Sequence, residues 1–362
     1  MKLTFPHMGN LSICLKSLFE SLGFEVILPP PFTKRTLDLG VKYSPEFACF
    51  PFKINVGNYV EAIEKGADTI LMLGDVGPCR FGYYAQLQRR LLKDLDYDFD
   101  MIIVQSPENS IKELTGELAK LRNNNTWRHI LPQIYLTFKK VKAFDLVDQK
   151  TNEARPRTTQ SKKLNKIYAE FQQEMEQINN AKSLNNLTRE VISEIDRLKD
   201  KSFQPVKVAL VGEIFMLLEF RANMEIEKKL GNMGAHVIRT IHLSDSILDH
   251  IVLDRIGLIN RNKKVYQAAQ PFLNHFVGGH GIESVGEAVL KAKEGYDGVI
   301  HVMPFTCTPE IIAQNILPQV SKEYNLPLLN VILDEHTGET GLRTRLEAFY
   351  DLLVRKNRER SA

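Results

Sequence analysis

The chain has 362 residues, 43% of them hydrophobic, and this length predicts two domains or two domains with an insertion. Its 47 basic and 44 acidic residues leave a formal charge of +3, so charge gives no case for binding nucleic acid or a membrane surface. No apolar run is long enough to span a membrane and no signal-peptide pattern opens the chain, so we expect a cytoplasmic protein. The four widely spaced cysteines are not typical of a disulfide framework.

The first hundred residues alternate strands and helices. Short apolar runs predict strands over residues 3–5, 24–28, 69–73 and 100–105. Helical spacing predicts helices over residues 11–21, over roughly 56–65, and from the Gly-rich segment after residue 73 to residue 92. This βαβ order is typical of a doubly wound parallel sheet of Rossmann or flavodoxin type.

The middle of the chain differs in composition. Residues 107–205 have helical spacing with many charges and amides, and apart from a short apolar run at 134–136 they predict no strand. Residues 162–199 predict one or two long amphipathic helices, and we favour a solvated helical insertion or lid-like bundle over a dedicated binding arm. The predicted domains are residues 1–106, the insertion 107–205, a second α/β domain 206–340, and a C-terminal helix in 341–362 that packs back.

The second half repeats the first. Strand patterns return at residues 206–211 and 234–239, with a helix over 223–231, and segment 57–79 has a counterpart in segment 286–307. Each of these segments begins with a glycine that stands 11 residues before an aspartate, and each continues through a predicted strand to a cysteine. These residues are Gly57, Asp68 and Cys79 in the first segment and Gly286, Asp297 and Cys307 in the second. We infer two similar α/β domains whose equivalent loops each carry one cysteine.

The loop with Cys307 follows a predicted buried strand over residues 297–303, which Pro304 ends. Thr308 is expected to cap the next helix, with Pro309 as its first residue. Cys307 therefore lies at the carboxyl end of a strand, where open α/β sheets bind ligands. The adjoining helix N-terminus favours the thiolate form.

The same alignment places Cys49 opposite Gly278 of a Gly-Gly-His-Gly loop. The first domain is therefore expected to present Cys49 and Cys79 from adjacent strand ends, and three thiols converge if the two carboxyl edges face each other across a cleft. Such thiolates suit an iron–sulfur cluster or zinc, although the Cys-x-x-Cys pairs usual for zinc are absent. On spacing alone a cluster, zinc and three unrelated core cysteines stay equally open. Cys14, within an apolar helix, is expected to be a buried structural thiol.

Seven motifs resemble a known superfamily: EFACFPFK (46–53), GPCRFGYY (77–84), VGEI (211–214), GGHG (278–281), MPFTCTPE (303–310), DEHTG (334–338) and TRLEAF (344–349). They resemble the 2-hydroxyacyl-CoA dehydratase D-component and double-cubane cluster proteins, and more narrowly the stand-alone branch labelled CoA-substrate enzyme activase-related. The resemblance spans nearly the whole chain except the helical middle.

This resemblance implies a [4Fe-4S] cluster held by Cys49, Cys79 and Cys307, with one iron open to a non-protein ligand. It also implies an activator ATPase as partner, an anaerobic setting and a homo- or heterodimer. In the dehydratases the injected electron forms a ketyl radical from an acyl-CoA thioester, so that a β-proton can leave. The expected activity is a lyase of 2-hydroxyacyl-CoA dehydratase type, or a cluster-dependent reductase of another small substrate. An electron-carrying or scaffold subunit for a larger ATPase-containing partner is the alternative.

Five further residues are weaker site candidates. His280 is expected either to act as acid or base or to cap a helix. Glu310 is expected either to orient substrate or to stabilise a helix dipole. Lys53 is expected either to bind an anionic substrate group or to be a solvated surface lysine. Gly278 and Gly279 are candidates for a loop that binds substrate.

Overall fold

A computed structural model describes residues 1–74, 79–105, 119–247 and 262–361. The chain divides into two compact units, Met1–Lys140 with Met175–Asn179 and Val141–Glu174 with Asn180–Ala362. Each unit contains a four-stranded sheet in which all the paired strands are parallel. The predicted α/β class with two parallel-sheet domains is therefore confirmed.

The first sheet has the order β2-β1-β3-β4. Its strands are β1 (Lys2–Thr4), β2 (Glu25–Val26), β3 (Thr69–Gly74) and β4 (Asp100–Gln105). All four were predicted, because short apolar runs are what a sheet covered on both faces requires.

Among the described residues of this unit, four α-helices accompany the sheet: α1 (Leu11–Ser21), α2 (Lys34–Tyr43), α3 (Phe50–Glu64) and α4 (Tyr84–Asp94). The helix predicted at 56–65 begins earlier, at Phe50, because Pro51 fits a first helical turn. Helix α2 was not predicted. The local feature that could have indicated its start is a capping box, in which the side chains of Thr33 and Thr36 each accept a hydrogen bond from the other residue's backbone N–H.

Where the structure describes it, the middle of the chain forms three long helices: α5 (Trp127–Ala154), α6 (Ser161–Gln177) and α7 (Ala181–Arg197). One or two long helices were predicted within residues 162–199, and the structure has two. The apolar run at 134–136 belongs to α5 and is not a strand. Taken over all the helices that the structure describes, none combines the length and the apolar character needed to cross a membrane.

The second sheet repeats the order of the first, as β6-β5-β7-β8. Its strands are β5 (Val206–Gly212), β6 (Ala235–Arg239), β7 (Gly298–Pro304) and β8 (Leu328–Leu333). The accompanying helices are α8 (Ile214–Leu218), α9 (Ile226–Met233), α10 (Leu243–Ile247), α11 (Asn262–Ala269), α12 (Gly281–Lys293), α13 (Thr308–Glu323) and α14 (Glu339–Ser361). The helix predicted over 223–231 is α9, which begins and ends a few residues later.

A buried ion-pair cluster ties the end of α5 to the second sheet. Arg239, the last residue of β6, lies 3.1 Å from the Asp148 carboxylate of α5 and 3.5 Å from that of Glu227 in α9. Burial raises the pKa of Asp148 to about 6, although the Arg239 charge acts in the opposite direction. Removing one member of such a cluster would leave an uncompensated buried charge.

The repeated aspartates hold corresponding strand starts. Asp68 accepts a hydrogen bond from the backbone N–H of Lys2 in β1 at 2.8 Å, and Asp297 accepts one from Lys207 in β5 at 2.7 Å. In each unit the side chain before the third strand therefore fixes the first strand in register.

The repeated glycines let two pairs of helices approach closely. A Cβ on Gly57 of α3 would lie 1.9 Å from the carbonyl oxygen of Thr36 in α2, and one on Gly286 of α12 would lie 2.2 Å from that of Val265 in α11. Any larger residue at these positions would have to push the helices apart. The repeat read from spacing thus corresponds to one packing arrangement used twice.

Candidate functional site

The carboxyl edge of the first sheet carries Cys49 and Cys79. Cys79 directly precedes a 3-10 turn, Arg80–Tyr83, that leads into α4. Cys49 does not follow a strand, as the repeat had suggested, but is the N-cap residue of α3. It reaches this edge because α3 leads into β3, so that the helix begins at the end of the sheet where the strand finishes.

Two contacts join the cysteine loops of the first unit. The Arg80 guanidinium donates a hydrogen bond to the carbonyl oxygen of Phe47 at 2.8 Å, which links the residue after Cys79 to the loop before Cys49. The Cys49 sulfur also contacts the buried Tyr84 hydroxyl. Cys49 is buried and Cys79 is partly exposed. The structure therefore brings these two predicted ligands into neighbouring loops.

Lys53 lies in the first turn of α3 and is only 2% exposed, so the alternative interpretation of Lys53 as a solvated surface lysine is wrong. Helix α3 is buried from Phe50 to Ala62 although it carries several polar side chains. One of them, Asn58, accepts a hydrogen bond from the backbone N–H of His7, in the loop after β1, at 3.3 Å. Anion binding by Lys53 stays a prediction.

The carboxyl edge of the second sheet carries Cys307. Thr308 was expected to cap the helix, but Cys307 itself is the N-cap residue and Thr308 begins α13. Cys307 is buried, and the residue before it, Thr306, has a left-handed φ of 65°. A thiol at the N-terminus of a 16-residue helix is favoured as thiolate.

The Gly-Gly-His-Gly loop packs beside this helix turn. A Cβ on Gly281 would lie 2.5 Å from the carbonyl oxygen of Pro309, so only glycine allows the loop to approach. Gly278 and Gly279 have positive φ angles of 87° and 46°. His280 is the N-cap residue of α12, which is the helix-capping position expected as one of its two roles, although its side chain makes no capping hydrogen bond. Its acid or base role stays a prediction.

A buried polar network lies behind Cys307. His301, in the middle of β7, and Glu310, in the first turn of α13, are both 0% exposed. Their Nε2 and Oε2 atoms are 2.7 Å apart, and the Ser284 hydroxyl of α12 donates to the same Glu310 oxygen at 2.9 Å. The other ring nitrogen of His301 lies 3.0 Å from the side-chain oxygen of Asn330 in β8.

Sequence reasoning missed His301 because it lies inside an apolar run that was interpreted only as a buried strand. The available signal was the imidazole itself, a polar group within Val-Ile-His-Val-Met that needs partners once buried. Glu310 was expected either to orient substrate or to stabilise a helix dipole, and it does lie in the first turn of α13. Its contact with His301 was not predicted.

Glu213 adds a second carboxyl group to this region. It follows β5, caps α8, and accepts hydrogen bonds from the backbone N–H groups of Phe215 and Met216 at 3.1 and 3.0 Å. Burial, assisted by repulsion from Glu310, raises the pKa of Glu213 to about 7, although the two N–H groups lower it. Glu213 can therefore hold a proton near neutral pH, beside the hydrogen-bonded pair of His301 and Glu310.

The three predicted thiolate ligands lie in different units, Cys49 and Cys79 in the first and Cys307 in the second. Within the described ranges, no three His, Cys, Asp or Glu side chains are grouped so as to hold a metal ion. The three cysteines are nevertheless of a residue type that binds metal ions and iron–sulfur clusters as thiolates. Cys49 and Cys307 are the N-cap residues of long helices, and the Tyr84 hydroxyl can donate to the Cys49 sulfur.

One family model matches the chain, over residues 7–73, and its description is CoA enzyme activase uncharacterised domain (DUF2229). Residues 7–73 are therefore similar to an activase-related domain, and they make up about a fifth of the chain. The matched segment runs from the loop after β1 into β3 and includes Cys49 and Lys53, but ends before Cys79. A comparison with curated proteins finds none that matches the chain.

Proposed function

We propose that this activase-related chain is an iron–sulfur protein of the 2-hydroxyacyl-CoA dehydratase D-component type. It would hold an open-site [4Fe-4S] cluster on Cys49, Cys79 and Cys307 and dehydrate or reduce a CoA thioester or another small molecule, with an activator ATPase as electron donor. The observation that carries the proposal is the match to the CoA enzyme activase domain, because the matched segment contains the Cys49 loop.

The first unit would supply two of the three thiolates. Arg80 ties the Cys79 segment to the Cys49 loop. The Tyr84 hydroxyl contacts the Cys49 sulfur and would donate to it as thiolate, a kind of contact that tunes the potential of a bound cluster. The third thiolate, Cys307, would come from the second unit. When bound, a cluster with one open iron supplies low-potential electron transfer to a substrate oxygen.

The second unit would handle the substrate and its protons. The backbone N–H groups at the start of α12, presented by the glycine loop, suit an oxyanion or carboxylate group. Behind Cys307, the pair His301 and Glu310 together with Glu213 offers a proton acceptor and donor that is shielded from water. Lys53 would pair with an anionic substrate group at the first edge.

Anaerobic reconstitution tests the ligand set. We expect about four irons and four acid-labile sulfides per chain, as the donor chemistry of such clusters requires. Cys49→Ser, Cys79→Ser and Cys307→Ser should each lose or destabilise the cluster, whereas Cys14→Ser, at a thiol buried within α1, should keep it. Equal loss in all four variants, or stoichiometric zinc without sulfide, would reject the assignment.

Turnover tests the activity separately. Reconstituted protein, an activator ATPase, ATP, a low-potential reductant that supplies the electron and a set of 2-hydroxyacyl-CoA thioesters should give dehydrated product under anaerobic conditions. A cluster that is reduced by the activator but turns over no thioester would instead favour the electron-carrying or scaffold function.

A further inference from the structure

The first half of α5 has an apolar outer face. Trp127, Leu131, Ile134 and Tyr135 are 53%, 59%, 48% and 58% exposed, although α5 also buries Ile130 and Leu136 on its inner side. The four exposed residues follow the spacing i, i+4, i+7, i+8, so they form a single line along the helix. We call these four residues the outer stripe.

An exposed line of this kind is unusual for a protein surface. Single exposed apolar residues are normal, but four adjacent large side chains, each about half exposed, form a patch on the order of several hundred Å², which is the size that marks interaction sites. Trp and Tyr are also the side chains that most often contribute large binding energies. The outer stripe therefore has the size and composition that are typical of a docking surface.

The charges around the stripe limit what that partner can be. Residues 119–144 contain six basic side chains, of which Lys140 is buried, and no acidic ones. Arg128 and Lys142, both exposed, border the stripe, and the Lys139 ammonium lies 5.2 Å from the centre of the Tyr135 ring. A second copy of this chain would bring like charges together. An acidic partner surface would instead form favourable ion pairs with the basic side chains around the stripe.

We propose that the outer stripe is a docking surface for a different protein, one that presents an apolar groove bordered by Asp and Glu side chains. This helix-in-groove mode matches the i, i+4, i+7 spacing of the stripe. A membrane surface fits less well, because the stripe spans only about two helical turns, roughly 12 Å, whereas interfacial helices present longer apolar faces.

The partner can be captured through the stripe itself. Leu131 of the 362-residue chain is replaced by the photo-cross-linking residue p-benzoylphenylalanine, and the variant is expressed in its native cells. The cells are irradiated, and the cross-linked adduct is identified by mass spectrometry. The captured protein is then purified and titrated against the full-length chain labelled with 5-fluorotryptophan. Because Trp127 is the only tryptophan in the chain, a single fluorine resonance reports directly on the stripe.

We expect the resonance to shift on binding. Leu131→Glu should weaken binding at least about tenfold, since it places a charge in the centre of the contact. Arg128→Glu combined with Lys142→Glu should weaken it about tenfold at low salt and much less at about 0.5 M NaCl, because salt screens the attraction. Leu352→Glu is the matched control, since Leu352 is an exposed apolar residue on α14 and should change nothing. Circular dichroism confirms that each variant is folded.

Four outcomes would overturn the proposal. They are cross-linking only to a second copy of this chain, a fluorine shift with phosphatidylglycerol vesicles alone, a captured protein whose binding ignores the Arg128 and Lys142 reversal, and no protein adduct above the unirradiated control. The first would indicate self-association and the second a lipid contact.

Discussion

The carboxyl edges of the two sheets use one scaffold for different chemistry. In the first unit Met72 of β3 accepts a hydrogen bond from the Tyr59 hydroxyl, whereas the aligned residue in β7 is His301, bound to Glu310. Asn55 of α3 aligns with Ser284 of α12, which donates to Glu310. The side-chain oxygen of Asn55 is buried without a hydrogen-bond partner among the described residues. The first edge offers two thiols, and the second offers one thiol with a proton-binding network.

The difference separates scaffold residues from site residues. The positions that the two units share, the glycines between helices and the aspartates before the third strands, all act on the backbone. The positions that differ are the cysteine loops beyond the strand ends and, inside the units, the pairs Met72 and His301 and Asn55 and Ser284. Loops beyond the strand ends of an open α/β sheet can change without disturbing the core, whereas the two inner pairs change which polar groups the core must satisfy.

The largest expected effect tests whether the two helix contacts are equivalent. Gly57→Ala and Gly286→Ala each place a methyl group within 2.2 Å of a backbone oxygen, so each should destabilise its own unit by about 3 kcal/mol or prevent folding. Gly338→Ala is the control, because nothing lies within 4 Å of a Cβ there. Urea unfolding followed by hydrogen–deuterium exchange would measure each unit separately. A loss below about 1 kcal/mol at either glycine contradicts equivalent packing.

The next prediction tests the difference between the edges. His301→Leu leaves the Glu310 carboxyl buried without its imidazole and should cost about 3 kcal/mol of unfolding free energy. Met72→Leu, at the aligned position of the first unit, should cost less than about 1.5 kcal/mol. Adding Glu310→Leu to His301→Leu should recover part of the loss. If the double variant is weaker by the sum of both single effects, the two side chains are not coupled.

A third prediction concerns pH and the second edge alone. The pKa of Glu213 is raised from its ordinary 4.5 to about 7, so folded protein holds the proton more tightly than unfolded protein. Below pH 4.5 both states are protonated, and as pH rises towards 7 the unfolded state ionises first, so this group lowers stability by up to about 3 kcal/mol.

Glu213→Gln removes this titration while keeping a side-chain oxygen for the α8 cap. Its unfolding free energy relative to the unsubstituted protein should therefore rise between pH 5 and pH 8, as followed by urea unfolding. Glu20→Gln, at an exposed position of α1, is the control and should show no such trend. A flat difference for Glu213→Gln would mean that Glu213 is already ionised at pH 5 in the folded protein.

The smallest expected effects test the shared aspartates. Asp68→Ala and Asp297→Ala each remove one hydrogen bond to a backbone N–H at the start of β1 or β5, and each should cost about 1 kcal/mol. Exchange of the Lys2 and Lys207 amides should accelerate in the corresponding variant only. Unequal losses would show that the two aspartates do not serve the same purpose.

Much of this scaffold could be predicted from the chain because it depends on local patterns. Apolar runs located the strands, and the interval from Gly57 to Asp68 recurred from Gly286 to Asp297, so the repeat was visible before any fold was known. The start of α3 was misplaced by six residues, because polar Lys53 and Asn55 in a helix buried on all sides give no amphipathic signal.

The sequence by itself determined the fold class, the internal repeat and which loops carry the cysteines, since these follow from periodicity, spacing and the chemistry of single residues. Only the tertiary structure decided that His301 meets Glu310 and Ser284, that Arg80 joins the two cysteine loops of the first unit, and that Lys53 is buried. The partners in these contacts lie 9 to 33 residues apart. Their meeting depends on how strands and helices stack, which no local pattern encodes.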